Sequence, residues 1–226
     1  MFAFKMMPRR PASSPRPPEL PAELERGEIG VLAHDATYSD IALSDVALSS
    51  QHANGVTFNT AALVNVDISD ARLESLRLTD CTLKACNLAN THARRAAATR
   101  LTIETSRLTG IHVPEAALRD VTIRDCRADL ASFGFSQLTR VTFEDCILAE
   151  AAFLDAQLES VRFHRCDLTR ADFRGARMQR CEFRRSDLTG LQGIESLRGA
   201  ALEWPDIIEM AGVWAGALGI EVLDAD

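Results

Sequence analysis

Six cysteines, Cys81, Cys86, Cys126, Cys146, Cys166 and Cys181, are the side chains best suited to chemistry in this 226-residue sequence. Cys126, Cys146 and Cys166 recur every twenty residues, with Cys86 forty before the first of them. Such a row could hold a soft metal, run redox chemistry, or act as small buried hydrophobes; no C-x-x-C pair occurs. His52, His92 and His112 also stand at multiples of twenty. Two imidazoles one repeat apart could share a divalent cation near Glu115, or form a solvated row beside Arg94 and Arg95. A third set is basic: Arg162, Arg165, Arg170, Arg174, Arg177, Arg180, Arg184 and Arg185 crowd the stretch from Val161 to Arg185, opposed there by Asp167, Asp172 and Glu182. No histidine stands near a nucleophile in a way that suggests a catalytic pair. Neither enzyme activity nor a cofactor or metal is expected.

What positions these groups is a period of five. From Phe143 the sequence reads Phe143, Leu148, Phe153, Leu158, Phe163, Leu168, Phe173, Met178, Phe183, Leu188, and Phe133 extends the phenylalanine row backward. Two residues before each stands something small or β-branched: Val141, Cys146, Ala151, Ala156, Val161, Cys166, Ala171, Ala176, Cys181, Ser186. Five-spaced residues line no face of an α-helix, and on a flat strand they alternate between faces. The chain must run extended for about three residues and turn in the next two, repeatedly, which describes a solenoid.

Ala171-Asp172-Phe173-Arg174-Gly175 matches the pattern A-(D/N)-L-x-x, and the chain resembles the pentapeptide-repeat proteins. The resemblance implies an all-β fold, a right-handed quadrilateral β-helix with four pentapeptides, or twenty residues, per coil. In that frame Cys126, Cys146 and Cys166 stack one above another. Their spacing is within disulfide range, but parallel side chains give poor torsions. The ten-residue alternation of Phe independently places it on two opposite walls.

The period can be followed from Ala36 to Gly190, 31 pentapeptides without insertion, and none of the 62 inward positions is Asp, Glu, Lys or Arg. At ~4.8 Å per coil, about 8 coils make a rod roughly 35 to 40 Å long. Ala53, Ala93, Ala98 and Ala128 replace a large residue at the centre of their repeats. Ala93 and Ala98 are consecutive, so the rod should be softest there. In Cys126-Arg127-Ala128-Asp129-Leu130 the global frame puts Leu130 at a corner.

Residues 1–22, rich in Pro and Arg, read as a disordered leader, with a docking motif for a proline-recognising partner as the alternative. Residues 23–35, with Ile29, Val31 and Leu32, read as an N-terminal cap. Residues 191–226 form the C-terminal cap. There Trp204-Pro205-Asp206 opens a helix and Gly219 closes it. Ile207, Ile208, Ala211, Trp214 and Leu218 are expected on one face; Met210, Val213 and Ala217 form a second stripe. Ile220 to Leu223 alternates like a short strand. Ala217-Leu218-Gly219-Ile220-Glu221-Val222 resembles the C-terminal cap of the Qnr-type quinolone-resistance pentapeptide proteins and their mycobacterial relatives. That resemblance implies a homodimer through this end, and a rod that engages DNA gyrase, a type II topoisomerase, as a DNA mimic.

The alternative is a scaffold that binds another protein through the Arg belt or an apolar patch of Leu130, Phe135 and Leu154. Thr82, Thr102, Thr122 and Thr142 form an outward row that suits a pleated surface; a regular Thr row can also meet a lattice such as ice. The net charge of -7 argues against direct nucleic-acid binding. That charge is mostly a tail property, since residues 191–226 carry seven acids against Arg198. No apolar run is long enough for a membrane span and no signal-peptide pattern is seen, so the cytoplasm is the default compartment.

Overall fold

The computed structural model describes residues 13–222. Its body is a parallel β-solenoid of about eight turns. Paired residues of successive coils stand twenty positions apart: Thr37 with Thr57, Phe58 with Leu78, Phe143 with Phe163, Phe163 with Phe183. The strands are β1 (Glu25–Arg26), β2 (Thr37–Ser44), β3 (Thr57–Val64), β4 (Arg77–Lys84), β5 (Ala97–Glu104), β6 (Ala117–Arg124) and β7 (Gln137–Glu144). Beyond them the same path divides at the corner into β8 (Gln157–Glu159) with β9 (Arg162–His164), then β10 (Arg177–Gln179) with β11 (Glu182–Arg184). These strands make two walls. The other two are rows of single bridges, Ala47–Asp67–Asn87–Arg107–Arg127 and His52–Arg72–His92–His112–Ser132, both continuing toward the C-terminus.

The square section has a local cause. Every fifth residue from Asp35 to Gly190 takes a positive φ, between 50° and 71°. Most carry a Cβ, for which the left-handed region is unfavourable by ~1–2 kcal/mol. The strain persists because each corner amide is held by the next coil: Asp45 N–H donates to Val64 O at 3.0 Å, and Asp145 N–H to His164 O at 3.0 Å. Many corners are Asp or Asn, which tolerate this conformation best.

Inside, the two inward residues of each pentapeptide make one core from Ile29 to Met210. Phenylalanines from opposite walls meet edge to face, as Phe143 and Phe153 do at 6.0 Å. Those on one wall stack along the axis: Phe133–Phe153 at 5.1 Å, Phe143–Phe163 at 5.2 Å, Phe153–Phe173 at 4.8 Å and Phe163–Phe183 at 4.9 Å. Both geometries favour the ring quadrupole. Ala128 is buried and Leu130 sits at an exposed corner, as the global frame requires.

Where Ala93 and Ala98 stand, the shaft is incompletely filled. A cavity of about 80 Å³ lies against Ala93, Ala96, Ala98, Leu101, Ile103 and Val113. The one hydroxyl on its wall, that of Thr91, is spent on Ile68 O at 2.7 Å.

The ends depart from the sequence expectations in three ways. First, residues 13–22 lie extended along the rod, pinned by hydrogen bonds to its corners, where a tail without structure was expected; the rest of that leader lies outside the described residues. Second, the coil path outlasts Gly190, because Gln192 pairs with Asp172 and Ala201 with Glu182 around a short 3-10 turn at Ile194–Leu197. Gly193, at φ 76°, permits this turn, since a Cβ there would stand 2.4 Å from Arg174 N. Third, the terminal helix is two short ones, α1 (Trp204–Glu209) and α2 (Ala211–Ala217), broken at Met210. No strand forms over residues 220–222, and Leu223 lies outside the described residues. At the other end Ile29 and Leu32 are buried over the first coil. The inward Gln51 ties that segment down, accepting from Leu32 N–H at 2.6 Å and donating to Gly30 O at 3.0 Å.

Candidate interaction surfaces

All six cysteines are free and buried. Their shared position has a backbone reason. At several coils the amide of the first inward residue is met by a hydroxyl or thiol of the next coil. Cys86 N–H donates to Ser106 Oγ at 3.0 Å, Ser106 N–H to Cys126 Sγ at 3.4 Å, and Cys166 N–H to Ser186 Oγ at 3.1 Å. The same groups donate to the carbonyl two residues back, as Cys126 Sγ does to Arg124 O at 3.1 Å and Cys146 Sγ to Glu144 O at 3.3 Å. Burial pushes the thiols of Cys81 and Cys181 up to about 11 and that of Cys126 to about 12. Cys166 is raised by its hydrogen bond to Cys146 and by burial. Cys146 is lowered by the same hydrogen bond with Cys166, against burial. Thiolate is the reactive form, so burial suppresses the reactivity of the raised thiols.

His92 and His112 lie on adjacent coils with ring centroids 5.3 Å apart, while Arg72 separates them from His52. Partial burial, then the neighbouring His92, holds His112 below the usual imidazole value. Glu115 is engaged elsewhere, accepting from Arg94 at 2.6 Å. No cluster of three metal-ligating side chains occurs among the described residues. Thr82, Thr102, Thr122 and Thr142 do form a row, paired rung by rung.

The arginines from Arg162 to Arg185 encircle the rod and make no single patch. Most are matched by carboxylates: Arg162 and Arg184 by Glu182, Arg165 by Glu144 and Asp145, Arg170 by Glu150, Arg174 by Asp172, and Arg180 by Glu159. Arg177 lines a shallow polar groove with Arg119, Gln157 and Gln179. The backbone of Arg185 donates to Glu203 at 2.9 Å, fastening α1 to the last coil.

Of the expected apolar patch, Leu130 and Phe135 are exposed at the two corners of one wall, 56% and 60%, while Leu154 is half-buried. The terminal helices expose more. Met210 is buried and Trp214 packs half-buried against the core, so these two mark the side that faces the rod; Ile207 is half-buried as well. Ile208, Ala211, Val213, Ala217 and Leu218 face water, Leu218 at 75%, and Trp204, Ile220 and Val222 are exposed as well. The expected five-residue face is therefore split: Ile207 and Ile208 stand about 100° apart within α1, and α2 begins anew after Met210 with Trp214 against the core and Ala211 exposed.

One constellation escaped the sequence reading. Along a single corner stand Asp80, Arg100, Asp120 and Arg140, one per coil. Arg140 grips Asp120 with two hydrogen bonds, 2.6 and 2.7 Å, and Arg100 grips Asp80 likewise. The Asp120 side chain is fully buried. Both carboxyls are held below the usual range, chiefly by the arginine hydrogen bonds. The alternation of Asp and Arg at twenty-residue spacing was the available signal.

The family model described as Pentapeptide repeat region matches residues 76–153 and 137–192, together more than half of the chain. The chain belongs to the pentapeptide-repeat family. Among solved pentapeptide-repeat structures, HetL, involved in heterocyst differentiation regulation in the cyanobacterium Nostoc sp. strain PCC 7120, is 17% identical, with 76% of this chain and 90% of that one covered at a TM-score of 0.41. QnrB1, a plasmid-mediated fluoroquinolone resistance protein, is 19% identical in one trypsin-treated form, covering 81% and 99% at 0.34. Rfr23, a pentapeptide repeat protein from the cyanobacterium Cyanothece 51142, is 16% identical, covering 58% and 88% at 0.32. No curated protein matches the chain. No helix among the described residues is long and apolar enough to cross a membrane.

Proposed function

We propose that the protein is a non-enzymatic interaction rod that pairs with a second copy through its C-terminal helices and binds a protein partner along its coils. The observation that carries this reading is the set Ile208, Val213, Leu218, Ile220 and Val222, exposed on the terminal helices and the residues that follow them, while Met210 is buried against the rod. Several large apolar side chains left exposed within one short terminal segment favour an interaction site. A twofold pairing would cover the same patch on both copies.

The partner we favour is DNA gyrase, engaged in place of DNA. The support is the resemblance of Ala217–Val222 to the caps of quinolone-resistance proteins, together with the charge pattern beside the seam. The arginines that would oppose DNA mimicry are largely neutralised by carboxylates on the same rod, and the terminal segment adds seven acids. A scaffold that captures an acidic partner through the Arg belt has less support, since most of those arginines already have partners.

In light scattering the protein should run as a dimer. The double variant Val213→Asp, Leu218→Asp should run as a monomer with an unchanged β-sheet circular dichroism spectrum; a wild-type monomer at micromolar concentration overturns the pairing. Micromolar protein should inhibit gyrase supercoiling and protect the enzyme from quinolone. No effect on either would end the gyrase reading and leave the pairing intact.

A further inference from the structure

Residues 14–19 run along the corner that carries Asp80 and Asp120, opposite in direction to the growth of the coils. Arg16 N–H donates to Asp120 Oδ1 at 3.1 Å, and its guanidinium reaches Asp120 Oδ2 at 3.2 Å. Three residues on, Glu19 N–H donates to Asp80 Oδ1 at 2.9 Å. At the other end the Ser14 hydroxyl accepts from Arg162 Nη1 at 2.9 Å.

The fit is one of pitch. Pro15, Pro17, Pro18 and Pro21 fix φ near −65° and push the residues before them into the extended region, so the segment has little choice but polyproline II. That conformation advances ~3.1 Å per residue, or ~9.3 Å from Arg16 to Glu19. Asp80 and Asp120 are two coils apart, ~9.6 Å at the ~4.8 Å interstrand spacing. Between the two amides lie Pro17 and Pro18, which have no N–H to satisfy. The carboxylates therefore meet every amide the segment presents over this span, and Arg100 and Arg140 hold them in place from the other side. The contact is polar and thin. Arg16 remains 64% exposed, and Pro17 and Glu19 face water, so the segment can be lifted without opening the core.

We propose that this Asp80/Asp120 corner is a docking site for a proline-rich segment of the form Arg-Pro-Pro-x in the polyproline II conformation, presented by a partner protein, and that the chain's own residues 14–19 are its displaceable occupant. The leader holds the site shut by proximity: a short tether gives it an effective concentration in the millimolar range, so a free segment competes poorly until the leader is weakened or drawn away. The site would select its ligand by two carboxylates spaced to the polyproline II repeat. Known proline-rich recognition by small domains instead uses aromatic grooves. Nothing in this proposal depends on pairing through the C-terminal helices or on gyrase.

The test uses the full chain with its leader weakened by Arg16→Glu, Pro17→Gly and Pro18→Gly, changes that leave the coils untouched. The probe is a fluorescein-labelled peptide with the sequence of residues 13–21, followed by fluorescence anisotropy. Saturable binding to the weakened chain is expected, at least tenfold tighter than to the wild type. N-methylation of the peptide amide equivalent to Glu19, or Ala in place of its Arg, should weaken binding at least tenfold. These two controls alter only the peptide, so they do not depend on the stability of any site variant. Absence of saturable binding up to 1 mM peptide, on the order of the leader's effective concentration, or equal affinity for the N-methylated and native peptides, would overturn the proposal.

Discussion

The coils from Phe133 to Phe183 and those from Leu76 to Val113 follow the same backbone path, with the same corners and the same rung bonds, yet their interiors differ. In the first, phenylalanine from two walls fills the shaft in continuous stacked and edge-to-face contact. In the second, Ala93 and Ala98 leave about 80 Å³ empty. The backbone is thus indifferent to what fills it. A solenoid whose coils touch only their neighbours can carry a stiff and a soft segment side by side, because stability is a sum of local and nearest-neighbour contributions. At ~24 cal/mol per Å³ the void costs the middle coils about 2 kcal/mol, similar to three missing buried carbons at ~0.8 kcal/mol each.

The most disruptive way to erase this difference is Phe153→Ala. Phe153 touches four other rings, Phe133 and Phe173 above and below and Phe143 and Phe163 across the shaft. Its loss should cost ~3–5 kcal/mol. Urea unfolding followed by circular dichroism checks the total. Hydrogen exchange should show the loss of protection centred on β7, β8 and β9, and spread evenly over the rod would contradict the local picture.

A gentler pair of variants works in opposite directions. Ala98→Leu adds three carbons where there is room and should stabilise by ~1–2 kcal/mol. Ala171→Leu adds the same three carbons where the shaft is full, with Ala171 and its neighbour Phe173 both at 0% exposure, and should destabilise by ~1–3 kcal/mol. Thermal melts of the two proteins should move in opposite senses from the wild type. If both fell, the middle coils would be as tightly packed as the rest.

Most of the rod was legible because the period of five is imposed on every turn, and a charge at any inward place would have broken it. The underfilled segment was legible for the same reason, since Ala93 and Ala98 are consecutive central places where most repeats spend a larger residue. The leader was not. Its composition reads as disorder, and what holds residues 14–19 is a coincidence between the polyproline II advance and two coil rises, visible only once Asp80 and Asp120 are known to share a corner. The helix break at Met210 was hidden too, because apolar residues continue through it and neither Gly nor Pro marks the place. Asn, Asp, Arg and Ser at the corners gave no warning that each adopts positive φ, a property enforced by the rungs above and below.

The smallest expected effect concerns the column of thiols and hydroxyls that runs through both regions. Ser106, beside the soft coils, and Cys126, below the phenylalanine stack, have the same partners: an amide to accept from or donate with, and the carbonyl two residues back. If the column is there to satisfy inward amides, the element matters less than its capacity to accept a hydrogen bond. Cys126→Ser should then change stability by less than ~1 kcal/mol, while Cys126→Ala, which leaves Ser106 N–H without its acceptor, should cost ~1–3 kcal/mol. The ordering separates this account from simple hydrophobic packing, under which Ala would be the better-tolerated substitute because it buries no polar group. Urea midpoints for the two variants decide between them. A thiol titration in the same samples should find Cys81, Cys126 and Cys181 slow to react in the native state, since burial keeps them protonated well above neutral pH.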